Sequence, residues 1–271
     1  MNRPGRKAYF LVALVALLLV AFPFVFWYST WFGRRLSDAQ LDEYFADRAH
    51  PRHAQHALVQ LGERLSAGRN VARWYPQVLA QAHSPNAELR QTAAWIMGQA
   101  RDYAPFHDAL RELIHDPAPM VRRNAALALA ALGDEAARPE LLAMLRPYTL
   151  TAPSAGILHY RLKLGDYVNP GTLVAHIGDA EVRSPLPGEV RSLERREGAT
   201  VAAGDPLAEL SGDRNHVWEA LRGLYLVGQP ADLDDVRRYL RPVPGIPEVV
   251  SRQAAATAQA IESRSAQPKP Q

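Results

Sequence analysis

DPAPMVRRNAALALAALG, residues 116–133, decides how the helical part of this chain is read. It has a precedent at an offset of 32 residues: SPNAELRQTAAWIMGQARDYAPFHDALREL, from Ser84, aligns with DPAPMVRRNAALALAALGDEAARPELLAML, from Asp116. Pro85 meets Pro117, Leu89 meets Val121, Arg90 meets Arg122, Ala93 and Ala94 meet Ala125 and Ala126, and Met97 meets Leu129. Leu110 and Leu113 then meet Leu142 and Leu145. Each copy opens with a side chain able to cap a helix, Ser84 or Asp116, followed by a proline at the expected first helical position. Gly133 stands where the first helix of the second copy should close. Two-helix units of this length cannot bury a core alone, so the spacing predicts a stacked solenoid.

A further unit is expected over residues 51–82, with Leu58, Leu61, Trp74 and Leu79 in its core. Another follows over residues 216–241, at an offset of 95 that places Leu224 on Leu129, Gly228 on Gly133 and Leu240 on Leu145. A last helix is expected from Pro247. The pattern D-P-x-x-x-V-R-x-x-A-A-x-A-L in residues 116–129 resembles HEAT repeats. That resemblance implies a ladder in which the aspartate and the arginine six residues on link neighbouring units. Asp116 and Arg122 match both positions, and Arg90 matches the arginine.

Between the helical parts lies a different repeat. TAPSAGILHYRLKLGDYVNPGTLVAHI, from Thr151, and RSPLPGEVRSLERREGATVAAGDPLAEL, from Arg183, share a proline, a glycine, a short strand, Gly-x-x-Val-x-x-Gly and a second strand. Regular glycines between short apolar runs predict tight β turns, and two copies predict a pseudo-twofold pair of small sheets around one core. The S-P-x-x-G-x-V at Ser184 and the E-G-x-x-V-x-x-G-x-x-L at Glu197 resemble the biotinyl/lipoyl barrel-sandwich fold. In such carriers a lysine at a hairpin tip bears the cofactor. The matching positions here, Gly178 to Glu181, hold no amine, and Lys163 is expected in a strand of the other half, so no cofactor is expected. The same fold occurs unmodified in membrane-fusion proteins, the periplasmic adaptors of exporters. Those split the sandwich with a long coiled-coil hairpin, whereas five residues, 178–182, join the halves here.

The N-terminus sets the expected location. AYFLVALVALLLVAFPFVFWYSTWF, residues 8–32, exceeds the about 20 apolar residues that cross a bilayer. It is too long for a signal-peptide core, and Trp27, Tyr28, Trp31 and Phe32 read as an interfacial belt, so a retained single span is expected. Arg3, Arg6 and Lys7 precede it while Arg34 and Arg35 with Asp38 and Asp42 follow, which places the N-terminus in the cytoplasm and the body in the periplasm. The 31 basic and 28 acidic residues are scattered, which argues against nucleic acid. The absence of cysteine excludes disulfides, thiolate metal sites and cysteine nucleophiles.

Catalytic motifs are missing: no phosphate-binding glycine loop, no G-x-S-x-G and no H-E-x-x-H occurs. HPRHAQH, residues 50–56, puts His53 and His56 within reach of one helix face near Asp47. They are the candidate metal pair, but no fourth ligand is indicated and no metal is expected. Asp232, Asp234 and Asp235 read as dipole-favouring residues at a helix start, and Trp218 and Tyr225 as core.

The expected fold is therefore multi-domain: an N-terminal transmembrane helix, an all-α HEAT-like solenoid and an inserted all-β barrel-sandwich domain of biotinyl/lipoyl type. Residues 1–35 form the cytoplasmic N-terminus and anchor, 36–149 the helical repeats, 150–212 the β domain, 213–263 further repeats and 264–271 a disordered tail. The expected function is non-enzymatic: a scaffold of the cell envelope that docks a protein partner. The other readings are an adaptor subunit of an ABC or proton-driven exporter and, less in keeping with the missing lysine, a carrier subunit of a biotin or lipoate enzyme.

Overall fold

The computed structural model describes residues 14–25, 35–241 and 247–266. The span expected over residues 8–32 lies partly outside these. Residues 14–25 form helix α1, and among the described residues no helix is long and apolar enough to cross a membrane. Arg3, Arg6, Lys7, Arg34 and the tail from residue 267 also lie outside the described residues. The chain divides into two compact units at Val71 and Ala72.

In the first unit, α2 (Asp38–Ala46) starts at a capping box: Ser37 and Gln40 each accept the other's backbone N–H. It packs against α3 (Pro51–Ser66), burying Leu41 with Leu58 and Leu61. Arg64 ties the two helices by donating to Asp38 Oδ1 at 2.6 Å and to the Leu36 carbonyl at 2.5 Å.

The second unit stacks helix pairs. Its helices before the β module are α4 (Tyr75–Gln81), α5 (Ala87–Gln99), α6 (Ala104–Leu113), α7 (Pro119–Ala131) and α8 (Arg138–Met144). After it come α9 (Arg214–Val227), α10 (Leu233–Arg237) and α11 (Glu248–Ala266). One helix of each pair forms a continuous row: α5 lies on α7, α7 on α9 and α9 on α11. Small residues make this close stacking possible. A side chain at Gly98 would meet the Ala128 Cβ at 2.7 Å, and Ala93, Ala94, Ala125 and Ala126 are wholly buried.

The helix starts differ from the expected ones. Ser84 and Asp116 stand three residues before α5 and α7, because their side chains accept from Asn86 N and Ala118 N and so close a turn ahead of the helix. Asn86 caps α5, and Pro119 rather than Pro117 occupies the first turn of α7. The end of α7 is as expected. Gly133 adopts φ +79°, so its N–H reaches the Ala130 carbonyl and that of Asp134 reaches Leu129.

Core positions follow the repeat in the first helix of each pair and in part of the second, where Leu110, Leu113 and Leu145 are buried as matched. Leu89, Val121, Met97, Leu129 and Leu224 are buried, but Leu141 and Met144 take the interior of α8 while Leu142 is only half-buried. Likewise Val78 is buried instead of Leu79, and Val236 instead of Leu240, which is 43% exposed. Gly228 does not repeat the turn of Gly133. It keeps φ −64°, and a Cβ there would meet the Leu224 carbonyl oxygen at 2.5 Å and Ile261 at 2.7 Å, so the end of α9 itself, together with α11, leaves room only for glycine. That helix runs to Ala266, beyond the expected start of the tail, with Arg264 donating to the carbonyls of Tyr225 and Gly228.

The β module comprises β1 (Tyr148–Thr151), β2 (Gly156–Tyr160), β3 (Tyr167–Val168), β4 (Leu173–Ile177), β5 (Ala180–Arg183), β6 (Gly188–Leu193), β7 (Thr200–Val201) and β8 (Pro206–Leu210). These form two antiparallel sheets, ordered β1-β8-β6-β3 and β5-β4-β2-β7. Exchanging β1 with β5, β2 with β6, β3 with β7 and β4 with β8 turns one order into the other. The internal sequence repeat is thus a topological repeat. Gly171 and Gly204 are matched by position and by conformation, at φ +86° and +88°. Both sheets supply the core, with Leu158, Val174 and Val182 from one meeting Leu150 and Leu207 from the other.

Because β1 and β8 are neighbours, Tyr148 opposite Leu210, the module enters and leaves at one place. The helices on either side are then clamped across it. Arg138 donates to both oxygens of Asp232 at 2.8 Å each, and Arg146 to both of Asp235 at 3.2 and 2.5 Å. Tyr239 adds a bond from its hydroxyl to the Leu145 carbonyl at 2.7 Å. Asp232 is 2% exposed, so replacing it with alanine strands the Arg138 charge and is expected to cost about 3 kcal/mol of stability. Urea titration should show that loss for Asp232→Ala and substantial recovery for Arg138→Met combined with Asp232→Leu.

Candidate interaction site

Arg90 is the best-defined link between repeats. Its Nε and Nη2 donate to the two oxygens of Asp116 at 2.6 and 2.9 Å, and its Nη1 to the carbonyls of Ser84 and Pro85. Burial disfavours the Asp116 charge, yet the Arg90 guanidinium and the Ala118 N–H prevail and hold its pKa below the ordinary value. Arg122 repeats half of this pattern, bonding the carbonyls of Asp116 and Pro117. Its Nε turns to Glu140 on α8, at 3.1 Å.

The neighbouring Arg123 takes an unexpected position. It is 4% exposed, and its Nη1 lies 2.6 Å from Nδ1 of His216 on α9. Its Nε has no hydrogen-bond partner, and the nearest carboxylate oxygen, on Glu140, is 3.9 Å away. His216 can accept only as a neutral ring. Burial first, then the Arg123 charge, pushes its pKa down to about 4, against a smaller opposing pull from Asp213. Asp213 caps α9 through the amides of Asn215 and His216, and it accepts the Tyr167 hydroxyl at 2.7 Å. Tyr167 belongs to β3, so one carboxylate joins sheet to helix. Burial and that carboxylate raise the Tyr167 pKa to about 12.

The β4–β5 hairpin turns on Gly178 and Asp179, with Ile177 opposite Ala180 and His176 opposite Glu181. No amine stands there. Lys163 is exposed in a tight turn between β2 and β3, not in a strand as expected: the Asp166 N–H reaches its carbonyl, and its own N–H reaches the Asp166 carboxylate.

An open apolar groove of about 350 Å³ runs over α9 between α7 and α11, bordered by Leu127, Ala131, Arg222, Tyr225 and Leu226. Repeat register explains it. Trp95, Leu127 and Arg222 occupy one position on three stacked helices, and Gln99, Ala131 and Leu226 the position one turn later. Trp95 is 46% exposed, Tyr225 44% and Leu226 51%. Tyr225 is therefore a surface residue, and Trp218 is half-buried beneath the Arg222 guanidinium, 4.7 Å from its ring centre. Neither is the core residue the helical spacing suggested.

In the first unit, His53 does meet Asp47, but with His50 rather than His56. Nδ1 of His50 and of His53 lie 2.8 and 2.7 Å from Asp47 Oδ2. The non-helical backbone of His50 (φ −122°, ψ 86°) folds its ring back beside the carboxylate. His56, one turn into α3, instead lies 5.8 Å from the Tyr44 ring centre. The two imidazoles and the Ala49 amide pull the Asp47 pKa down to about 2.

Among known proteins, the HEAT-repeat family matches residues 75–149, which cover α4 to α8. The chain is also 39% identical over 61 residues to YqeB, an uncharacterized protein of Escherichia coli (strain K12). That stretch is 22% of this chain and 11% of the relative's length. The helical part is HEAT-like, and a separate antiparallel β module accompanies it.

His216 makes the contact between α7 and α9 sensitive to acid. Its folded pKa of about 4 lies below the ordinary 6.5, so the unfolded chain takes up the proton first. The stabilisation is full above pH 6.5 and is lost as pH falls toward 4, amounting to about 3 kcal/mol. Melting temperatures measured across that window should fall for the native chain and respond less for His216→Gln, which keeps an acceptor for Arg123.

Proposed function

We propose that this chain is a non-enzymatic scaffold of the cell envelope, anchored by its apolar N-terminal segment and docking a protein partner through its helical repeats. The observation that carries the reading is the groove over α9, where exposed Tyr225 and Leu226 stand beside half-buried Leu127, with Trp95 exposed on the same row of stacked helices. Contiguous exposed apolar surface marks interaction sites, and stacked repeats supply extended surfaces of this kind. HEAT repeats are commonly protein-interaction modules, which supports a protein partner.

The β module supports the same reading. Its two related sheets are in keeping with the biotinyl/lipoyl resemblance, while the Gly178–Asp179 turn gives a cofactor ligase no amine to modify. An unmodified module of this kind serves by shape and by how firmly it is held. The cytoplasmic N-terminus and exported body follow from the residues flanking the apolar segment.

Crosslinking in native membranes, read by mass spectrometry, should return one dominant partner peptide set mapping to α5, α7 and α9. Leu226→Asp should weaken that capture about tenfold or more without changing the circular dichroism spectrum, as expected when an apolar contact is replaced by a buried unpaired charge. A C-terminal alkaline phosphatase fusion should be active, and inactivity would reverse the orientation. A biotin or lipoate blot of the purified chain should be blank; a signal would replace the scaffold reading with a carrier one.

A further inference from the structure

Asp47, His50 and His53 present one ligand atom each, all within 4.8 Å of one another. Their convergence is built rather than incidental. Asp47 Oδ1 accepts the backbone amides of Ala49 and His50, at 3.0 and 3.2 Å, which fixes the carboxylate and leaves Oδ2 facing both rings. The His53 ring is stacked on Tyr44, centroids 4.3 Å apart and planes 12° from parallel. Pro51 restricts the backbone between the two histidines, and the His53 amide donates to the His50 carbonyl at 2.8 Å.

From this geometry we infer that Asp47, His50 and His53 form a binding site for a divalent transition-metal ion of the zinc class. Two imidazole nitrogens and a carboxylate oxygen are the donor set such ions take, at about 2.0–2.2 Å from each ligand atom. Seating the ion requires the present contacts of 2.7 and 2.8 Å to widen by roughly half an ångström, which the exposed His50 ring can supply. Each ring would coordinate through Nδ1 as a neutral imidazole that carries its proton on Nε2. Three protein ligands leave a fourth position open to water or to a side chain of another molecule.

The inference is independent of the docking role of the groove. Its test is equilibrium dialysis of the tag-free full chain in detergent, stripped with chelator and then titrated with Zn(II), with Co(II) as the optical probe. One saturable equivalent is expected, with a Co(II) spectrum showing nitrogen and oxygen coordination. His53→Ala and Asp47→Asn should weaken it by more than the roughly 10–100-fold that losing a supporting hydrogen bond costs a metal site. His56→Ala should leave it unchanged. His50→Ala, whose ring is the most exposed of the three, provides a variant expected to fold normally and still lose affinity. No saturable equivalent in the native chain, or one that survives His50→Ala and His53→Ala together, would overturn the site.

Discussion

Tyr148 and Leu210 sit opposite each other on neighbouring antiparallel strands, and the architecture of the larger unit depends on that pairing. Stacked helices hold together only if each pair reaches the next at packing distance. A module inserted between α8 and α9 would separate them unless its two ends met. The antiparallel pair brings the ends together, α8 and α9 remain in contact, and the row α5, α7, α9, α11 continues past the insertion. Arg138 with Asp232 and Arg146 with Asp235 then fasten the two sides. Such pairs owe their strength to two-pronged geometry and partial burial; exposed single contacts would contribute little.

Rigidity at the join has a chemical source as well. Asp213 alone caps α9 and accepts a hydroxyl from β3, while Arg123 lies beneath it against a neutral histidine. A buried guanidinium with one unpaired nitrogen is costly in isolation. Burial outweighs the favourable charges of Glu140 and Asp213 and lowers its pKa to about 10. The module is therefore a fixed projection from the repeats and not a domain on a loose tether.

Much of this was legible in the residues. Matching prolines, alanines and arginines at an offset of 32 pointed to stacked helix pairs, and matched glycines pointed to two related sheets. Local signals were less secure. Ser84 and Asp116 look like caps because their side chains do bond backbone amides, but the amides belong to a preceding turn. Tyr225 and Leu240 share the spacing of buried residues yet lie outside, since periodicity finds a face without saying whether a neighbour covers it. The clamps were out of reach: Asp232 and Asp235 pair with arginines 94 and 89 residues away, and nothing local marks such a partner. Helical spacing favours His53 with His56, whereas it is the non-helical backbone of His50, just ahead of α3, that brings His50 to Asp47.

The twofold relation between the sheets also identifies what the bare hairpin is. Shifted by one repeat, the pair Ile177 and Ala180 that flanks the tip falls on Leu210 and Tyr148, the two points of attachment. The hairpin and the root are the same structural element used twice, once closed by two residues and once opened to admit the rest of the polypeptide. A molecule that grasped the closed end would hold a lever whose other end is soldered into the helical stack, so force or binding there would be transmitted to the repeats without passing through any flexible linker.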